Sequence, residues 1–311
     1  MTNMKRLISA LIILIFSLGL LCSCGTTDTS TNTVPPSGTA TPTSSAPAAT
    51  PKPTDTILYT IKNEVVVDTE YCSFTIMSAE EDHIWGPTLK VLCENKTEGQ
   101  TLMFSVDDVS VNGYMVDPFW SSSVAAGKKD SSSISFSHSS LQENGLTSLD
   151  EVEFSLRIYD YDDWTADHLI DQRFTVYPTG LTADQIKIPP RPSGDKELIV
   201  VDNSDCLFVI LNHYDDSIWG YSLSCYLENR SDKDLMFTWD DVSVNDFMFD
   251  PFWAETVSAG KRSISDINFS DSRLEEIGVE EIKNIEFRLK VYDSNDWMAD
   301  HLVDNVFQYN P

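Results

Sequence analysis

Residues 107–120 read DDVSVNGYMVDPFW and residues 240–253 read DDVSVNDFMFDPFW, so eleven of fourteen positions are identical at an offset of 133 (240 − 107). A second pair, YDYDDWTADHL at 159–169 and YDSNDWMADHL at 292–302, matches at eight of eleven positions with the same offset. A period this long indicates tandem domains, because solenoid repeats are only about 20–50 residues long. The sequence therefore predicts repeat 1 at 57–178 and repeat 2 at 197–311, separated by a proline-containing linker at 179–196.

The pattern within each repeat is typical of β-strands. The segment 285–292 (IEFRLKVY) alternates apolar and polar residues, and 206–211 (CLFVIL) is expected to bury Cys206, Phe208 and Ile210 on one face. Asn112-Gly113, between two such segments, favours a type I′ hairpin turn. Seven to nine short strands in each repeat predict an all-β fold of two β-sandwiches.

The first 24 residues, MTNMKRLISALIILIFSLGLLCSC, begin with a basic segment and continue with an apolar stretch at 7–21. Their ending, LCSC at 21–24, resembles the lipobox of bacterial lipoproteins. The resemblance implies a signal peptide at 1–23 that is cleaved before Cys24, and a lipid on the Cys24 thiol. A plain secretory signal and an uncleaved helix stay open as alternatives.

The segment 24–56 joins the lipidated cysteine to the repeats. Residues 25–56 are rich in Ser, Thr and Pro, with almost no large apolar residue, and so are expected to be a disordered tether. Its 32 residues reach at most about 100 Å as a polyproline helix. The number and spacing of the predicted strands in each repeat resemble those of the immunoglobulin-like domains of uncharacterised bacterial lipoproteins. That resemblance implies two tandem immunoglobulin-like β-sandwich domains after the tether.

The chain is strongly acidic, with a formal net charge of −28. Removal of Lys5 and Arg6 with the signal peptide leaves 19 bases and 49 acids, or −30. This negative charge makes nucleic-acid binding unfavourable, because the phosphate groups of DNA and RNA are also negative and repel the protein. The lipid anchor predicts a location on the extracytoplasmic face of a cell membrane. Gly25 after the cysteine leaves a one-membrane or a two-membrane host open, and we favour a Gram-positive cell.

The four cysteines of the repeats are expected to be buried thiols. Cys72 and Cys206 are equivalent, but Cys93 and Cys225 lie two positions apart on the aligned strands. One partner can hardly reach both places, since two residues span ~6.5 Å along a strand. Intra-repeat disulfides remain the alternative.

An acidic loop follows the same strand in each repeat and is a candidate calcium site. The possible ligands are Asp160, Asp162 and Asp163 in repeat 1 and Asp293, Asn295 and Asp296 in repeat 2. Such oxygen ligands suit Ca²⁺. The alternative is a plain hairpin turn, because the loop lacks a glycine and the glutamate of an EF-hand. Calcium is the only cofactor that the sequence suggests.

The recurring aromatic and histidine residues are candidates for ligand contact. Three tryptophan pairs recur, at Trp85/Trp219, Trp120/Trp253 and Trp164/Trp297. Trp120 and Trp253 are candidates for stacking on a ligand, but we favour packing in the core or at a loop-to-strand junction. His168 and His301, each after an aspartate, are expected to be packing or capping residues.

Neither repeat offers a nucleophile, a base and oxyanion donors together, so we expect no enzymatic activity. The sequence favours a non-catalytic binding or interaction module with a protein or glycan partner at the cell surface. A structural component of the cell envelope without a soluble ligand, and calcium-dependent binding of carbohydrate or cell wall, are the alternatives.

Overall fold

The computed structural model describes residues 57–296 and 298–311, and they form an all-β structure. Cys24, the LCSC ending, the tether and Trp297 lie outside the described residues. No helix within the described part has the length and hydropathy needed to cross a membrane.

Repeat 1 contains nine strands. These are β1 (Lys62–Asp68), β2 (Cys72–Asp82), β3 (Gly86–Asn95), β4 (Leu102–Val111), β5 (Tyr114–Met115), β6 (Ser121–Val124), β7 (Lys129–Ser135), β8 (Val152–Asp160) and β9 (Ile170–Val176). A short helix, α1 (His138–Glu143), follows β7, and a 3-10 helix (Ala183–Gln185) lies in the segment that joins the repeats.

Repeat 2 contains the equivalent elements in the same order. These are β10 (Leu198–Asp202), β11 (Cys206–Asp216), β12 (Gly220–Asn229), β13 (Leu235–Val244), β14 (Phe247–Met248), β15 (Ala254–Val257), β16 (Arg262–Phe269), α2 (Asp271–Glu276), β17 (Ile285–Asp293) and β18 (Val303–Tyr309).

Each repeat forms two sheets. In repeat 1, one sheet has the order β1-β2-β3-β7, and the other has the order β5-β4-β8-β9 with β6 also paired to β4. Strands β2, β3 and β7 thus occupy the A, B and E positions of an immunoglobulin-type sandwich, and β4, β8 and β9 occupy the C, F and G positions. Repeat 2 has the same arrangement, which confirms the all-β, sandwich-like fold.

The predicted hairpin turn at Asn112-Gly113 is confirmed, and repeat 2 has an equivalent turn. Asn112 and Gly113 both have positive φ, 47° and 84°, as a type I′ turn requires. Asn245 and Asp246 adopt the same backbone, with φ of 48° and 70°. The tight turn returns the short strand β5 along β4, with Val111 opposite Tyr114.

The inward faces of the strands follow the predicted alternation, with one departure. Ile285, Phe287, Leu289 and Val291 of β17 are all buried. On β11, Cys206, Phe208 and Ile210 face the core of repeat 2 as expected. The intervening residues of β11 are buried as well, so the strand has no solvent-exposed face over this length.

The second buried face of β11 packs against repeat 1. Leu207, Val209 and Leu211, with Tyr226 of β12, belong to the apolar cluster of the first repeat. The rings of Tyr226 and Tyr114 meet edge to face at 6.5 Å. Residues 57–311 therefore form one compact unit.

Polar contacts reinforce the same interface. Arg173 of repeat 1 pairs with Asp234 of repeat 2 at 3.0 Å, and Lys261 lies 3.2 Å from Glu153. The backbone N–H of Arg262 donates to the carbonyl of Gly113. Through this contact β5 pairs in parallel with β16, which joins one sheet of each repeat into a nine-stranded sheet.

The pairing also fixes the relative direction of the repeats. Strand β5 is antiparallel to β4 and parallel to β16, so β4 and β16 run in opposite directions. Strands β7 and β16 run towards the end that holds the β2–β3 or β11–β12 turn, because each pairs antiparallel with the strand that leaves that turn. Strands β4 and β13 run the same way, because each begins beside the far end of β3 or β12, where Asn95 or Asn229 donates to a carbonyl of the preceding loop. Because aligned sandwich sheets keep their strands within about 30°, these two turns lie at opposite ends of the folded unit.

The interface yields a prediction about stability. Leu211→Ala is expected to lower the free energy of unfolding by about 2–5 kcal/mol, because it leaves a cavity between the repeats. Met77→Ala, at the equivalent position of repeat 1, removes a partly exposed side chain and is the matched control. Urea unfolding of both variants measures the difference, and equal losses would show that the repeats do not depend on this contact.

Candidate functional site

The turns between β2 and β3 and between β11 and β12 present large apolar side chains to solvent. We call residues 83–86 the first tip and residues 217–220 the second tip. Ile84 and Trp85 are 80% and 66% exposed, and Ile218 and Trp219 are 79% and 62% exposed. The two tips thus present the same pair of side chains.

Hydrogen bonds of one aspartate hold each tip in a defined conformation. The Asp82 Oδ1 accepts from the backbone N–H groups of Ile84 and Trp85 at 2.8 and 2.9 Å. Asp216 accepts in the same way from Ile218 and Trp219. These N–H groups, with the Trp N–H first, lower the pKa of each carboxyl because they stabilise its charged form.

A glycine in each tip packs closely against the backbone at the end of β7 or β16. Gly86 has a φ of 85°, and a Cβ there would stand 2.1 Å from the carbonyl oxygen of Phe136. Gly220 has a φ of 83°, and its Cβ would stand 2.5 Å from the carbonyl oxygen of Phe269. The Asp-x-Ile-Trp-Gly sequence therefore specifies the turn that exposes the indole.

A second pair of exposed rings belongs to the repeated Asp-Pro-Phe-Trp motif. Phe119 and Phe252 are 93% and 91% exposed, and both have left-handed backbones with φ of 41° and 51°. The backbone N–H groups of the two phenylalanines donate to the carboxylates of Asp117 and Asp250 at 2.9 Å. A left-handed backbone is unfavourable for a side chain as large as phenylalanine, yet both repeats hold it there.

The neighbouring tryptophans, candidates from the sequence for stacking on a ligand, lie against the cores. Trp253 is buried beside Phe208 and Trp239. Trp120 is half-buried against Phe74. Each indole Nε1 donates to a serine hydroxyl, Ser132 or Ser265. These contacts correspond to the packing interpretation, and the sequence reasoning missed that the exposed ring of the motif is the preceding phenylalanine.

The carboxylates of the acidic loops take part in turn hydrogen bonds. The Asp160 Oδ1 accepts from the backbone N–H of Asp162, and the Asp293 Oδ1 accepts from that of Asn295. The pKa of Asp293 is lowered first by that N–H and then by Lys233. Of the other four predicted ligands, Asp163 and Asp296 accept hydrogen bonds within their own loops.

These hydrogen bonds correspond to the alternative that each acidic loop is a plain hairpin turn. Within residues 57–296 and 298–311, no group of three or more His, Cys, Asp or Glu side chains is arranged to hold a metal ion. Calcium binding at the acidic loops stays a prediction from the sequence.

The paired histidines pack on tyrosine rings. His168 stacks on Tyr159 and His301 stacks on Tyr292, each with ring centroids 5.0 Å apart. His168 also lies 3.4 Å from Asp171. The expectation that the histidines are packing residues is confirmed.

The four cysteines of the repeats are free, buried thiols, as expected. Burial raises the pKa of Cys93 to about 12 and that of Cys206 to about 11, because a thiolate would lose its hydration. The pKa values of Cys72 and Cys225 are raised for the same first reason. These thiols are therefore unreactive at neutral pH.

A cleft of about 440 Å³ lies between the repeats, beside β4 and the strands β15 and β16. Its charged lining residues are Asp107, Asp108, Asp117, Glu143, Glu255 and Arg157, which sum to −4 (one base and five acids). Burial raises the pKa of Glu255, whose carboxylate accepts hydrogen bonds from the hydroxyls of Ser263 and Ser265. The cleft is acidic and mainly polar, in contrast to the apolar tips.

Comparison with known proteins assigns no family. No protein-family model and no curated protein matches the chain. Among solved structures, an exo-chitosanase, CsxA, from Amycolatopsis orientalis aligns with 75% of this chain and 26% of its own chain, at 11% identity and a TM-score of 0.21. The chain thus spans about a quarter of that protein, and a likeness this low carries no argument about function.

The contrast within the Asp-Pro-Phe-Trp motif yields a prediction. Trp253→Ala is expected to lower the free energy of unfolding by about 3–5 kcal/mol, because it removes a buried ring. Phe252→Ala, the matched control, is expected to change it by less than about 0.5 kcal/mol, because the ring makes little contact. Urea unfolding distinguishes the two, and a large loss for Phe252→Ala would contradict this assignment.

Proposed function

We propose that the chain is a lipid-anchored protein on the extracytoplasmic face of the cell membrane, where its immunoglobulin-like repeats bind a partner without catalysing a reaction. The observation that carries the proposal is the recurrence of exposed apolar side chains at equivalent turns of both repeats. These are Ile84, Trp85 and Phe119 in repeat 1 and Ile218, Trp219 and Phe252 in repeat 2.

The stability of the fold gives no reason for these side chains to be exposed. An exposed ring gains little from packing, and the left-handed backbone at Phe119 and Phe252 opposes folding. Each exposed segment is nevertheless held rigidly by an aspartate, such as Asp82 or Asp117. Rigid aromatic side chains lose little conformational entropy on binding, which is why they contribute strongly at interfaces.

The exposed rings also limit the chemistry of the partner. Indole and phenyl faces suit an apolar pocket of a protein or the face of a sugar ring. The formal charge of −30 after signal-peptide removal disfavours nucleic acid. We therefore propose a protein or glycan partner at the cell surface.

The lipid anchor is tested at Cys24. Cys24→Ser is expected to abolish acylation and the cleavage before residue 24, because both depend on the lipobox cysteine, so the chain keeps its apolar leader. Cys22→Ser is the matched control and is expected to leave both unchanged. Mass spectrometry of the N-terminal peptide gives the result, and an unmodified chain whose Cys24 carries no acyl group would refute the anchor.

Partner binding is tested with the exposed aromatic residues. Trp85→Ala, Trp219→Ala, Phe119→Ala and Phe252→Ala are combined in one chain, and binding to purified cell-wall sacculi and to a glycan array is measured. We expect at least about tenfold weaker binding than that of the unmodified chain, because each lost anchor costs about 1 kcal/mol or more.

The matched control replaces exposed apolar side chains that occur in one repeat only. Tyr161 and Met298 are 52% and 66% exposed, and their equivalents are Ser294 and Thr165. Tyr161→Ala combined with Met298→Ala is expected to bind as the unmodified chain does. Equal binding by both sets of variants, or no binding by the unmodified chain, would contradict the proposed binding role.

A further inference from the structure

The folded unit begins at the end of repeat 1 that holds the first tip. The backbone N–H groups of Thr60 and Ile61 donate to the carbonyl of Pro178, just after β9, at 2.8 and 3.1 Å. Strand β9 runs towards the first-tip end, because β8 runs away from it and pairs antiparallel with β9. Burial and then the negative charge of Glu81, which adjoins the tip, raise the pKa of Tyr59 to about 12. The chain that leads to Cys24 therefore joins the folded unit beside the first tip.

Three large apolar side chains are exposed at this end. Ile84, Trp85 and Leu58 are exposed by 80%, 66% and 76%. Tryptophan is enriched where proteins meet the interface of a bilayer, because its ring is apolar and its N–H remains hydrated. The 32 residues between Cys24 and Ile57 keep this end within about 100 Å of the anchor, at a high effective concentration relative to the membrane.

The two tips have the same apolar residues but differ in charge. Around the first tip, Lys90 pairs with Glu80 at 3.1 Å, and His138 lies 3.3 Å from Glu81. At the second tip, the equivalents of Lys90 and His138 are Ser224 and Asp271.

The sum over seven equivalent positions shows the difference. Positions 80–83, 90, 133 and 138 hold three acids and one lysine, a formal charge of −2 with neutral histidines. Their equivalents, 214–217, 224, 266 and 271, hold four acids and no base, a formal charge of −4. The first tip therefore meets less electrostatic opposition at an anionic bilayer surface.

We propose that the first tip contacts, through Ile84 and Trp85, the lipid bilayer in which Cys24 is anchored. The proposal rests on the lipid anchor proposed above, and it leaves the partner proposed above to the second tip and to the Asp-Pro-Phe-Trp motifs. The second tip points away from this surface because the repeats are inverted. Strand β12 alone spans ~33 Å, so the second tip lies well outside the bilayer while the first tip touches it.

The inversion supplies a matched pair of sites for a test. His83 and Ser217 are equivalent, exposed residues of the two tips. His83→Cys or Ser217→Cys is introduced into the full-length, lipidated chain and labelled with the environment-sensitive dye NBD. The native thiols do not interfere, because Cys72, Cys93, Cys206 and Cys225 are buried and Cys24 carries the lipid.

The labelled chains are reconstituted into vesicles of phosphatidylcholine and phosphatidylglycerol. The expected result is a blue shift and a rise of NBD emission at position 83, with emission at position 217 unchanged from the vesicle-free chain. Ile84→Ala with Trp85→Ala is expected to reduce the fraction of chains whose first tip contacts the bilayer by about tenfold or more. The reason is that both apolar side chains proposed to enter the bilayer are lost. Ile218→Ala with Trp219→Ala is the control and leaves the signal at position 83 unchanged.

The possible failures are distinguishable. A chain that does not float with the vesicles refutes the lipid anchor. A chain that floats but shows no shift at position 83, or equal shifts at positions 83 and 217, overturns the bilayer contact and leaves the anchor standing. A shift at position 83 that requires added sacculi or membrane protein also overturns it, and identifies a glycan or protein as the occupant of the first tip.

Discussion

The burial of one strand on both faces determines how the two repeats are arranged. Leu207, Val209 and Leu211 of β11 pack against repeat 1, while the alternate residues of the same strand fill the core of repeat 2. At the equivalent positions repeat 1 has Ser73, Thr75 and Met77. One copy thus has an apolar outer face and the other does not, so the interface is asymmetric.

The parallel contact between β5 and β16 extends this constraint to the edges of the sheets. An unpaired edge strand is a template for aggregation, and here one edge from each repeat is joined into the nine-stranded sheet. The same contact inverts repeat 2, and equivalent surfaces therefore face opposite ends. Duplication in this protein consequently places equivalent surfaces in two opposite directions, where parallel repeats would place them side by side.

The sequence predicted the features that depend on local chemistry. The type I′ turn at Asn112, the alternation of β17 and the buried thiols all follow from neighbouring residues. The CLFVIL segment was interpreted with one inward face, because nothing in it identifies what covers the other face. The exposed Phe119 was missed for a similar reason, since its exposure depends on a left-handed backbone that the Asp-Pro-Phe-Trp motif does not reveal without coordinates. The leader lies outside the described residues, so Cys24 stays a prediction from the sequence.

The two repeats share the shape of their tips and differ in the charges around them. The hydrogen bonds of Asp82 and Asp216 and the close contacts of Gly86 and Gly220 are the same in both copies, so the shape of the tips has been kept. The charges around the tips have not been kept, because basic and titratable groups near the first tip are replaced by serine and aspartate near the second. Both sets of positions are negative, at −2 and −4, so the first tip meets the smaller repulsion at an anionic surface. The proposed membrane contact beside the first tip and the proposed partner at the far end are consistent with both the inversion and this difference.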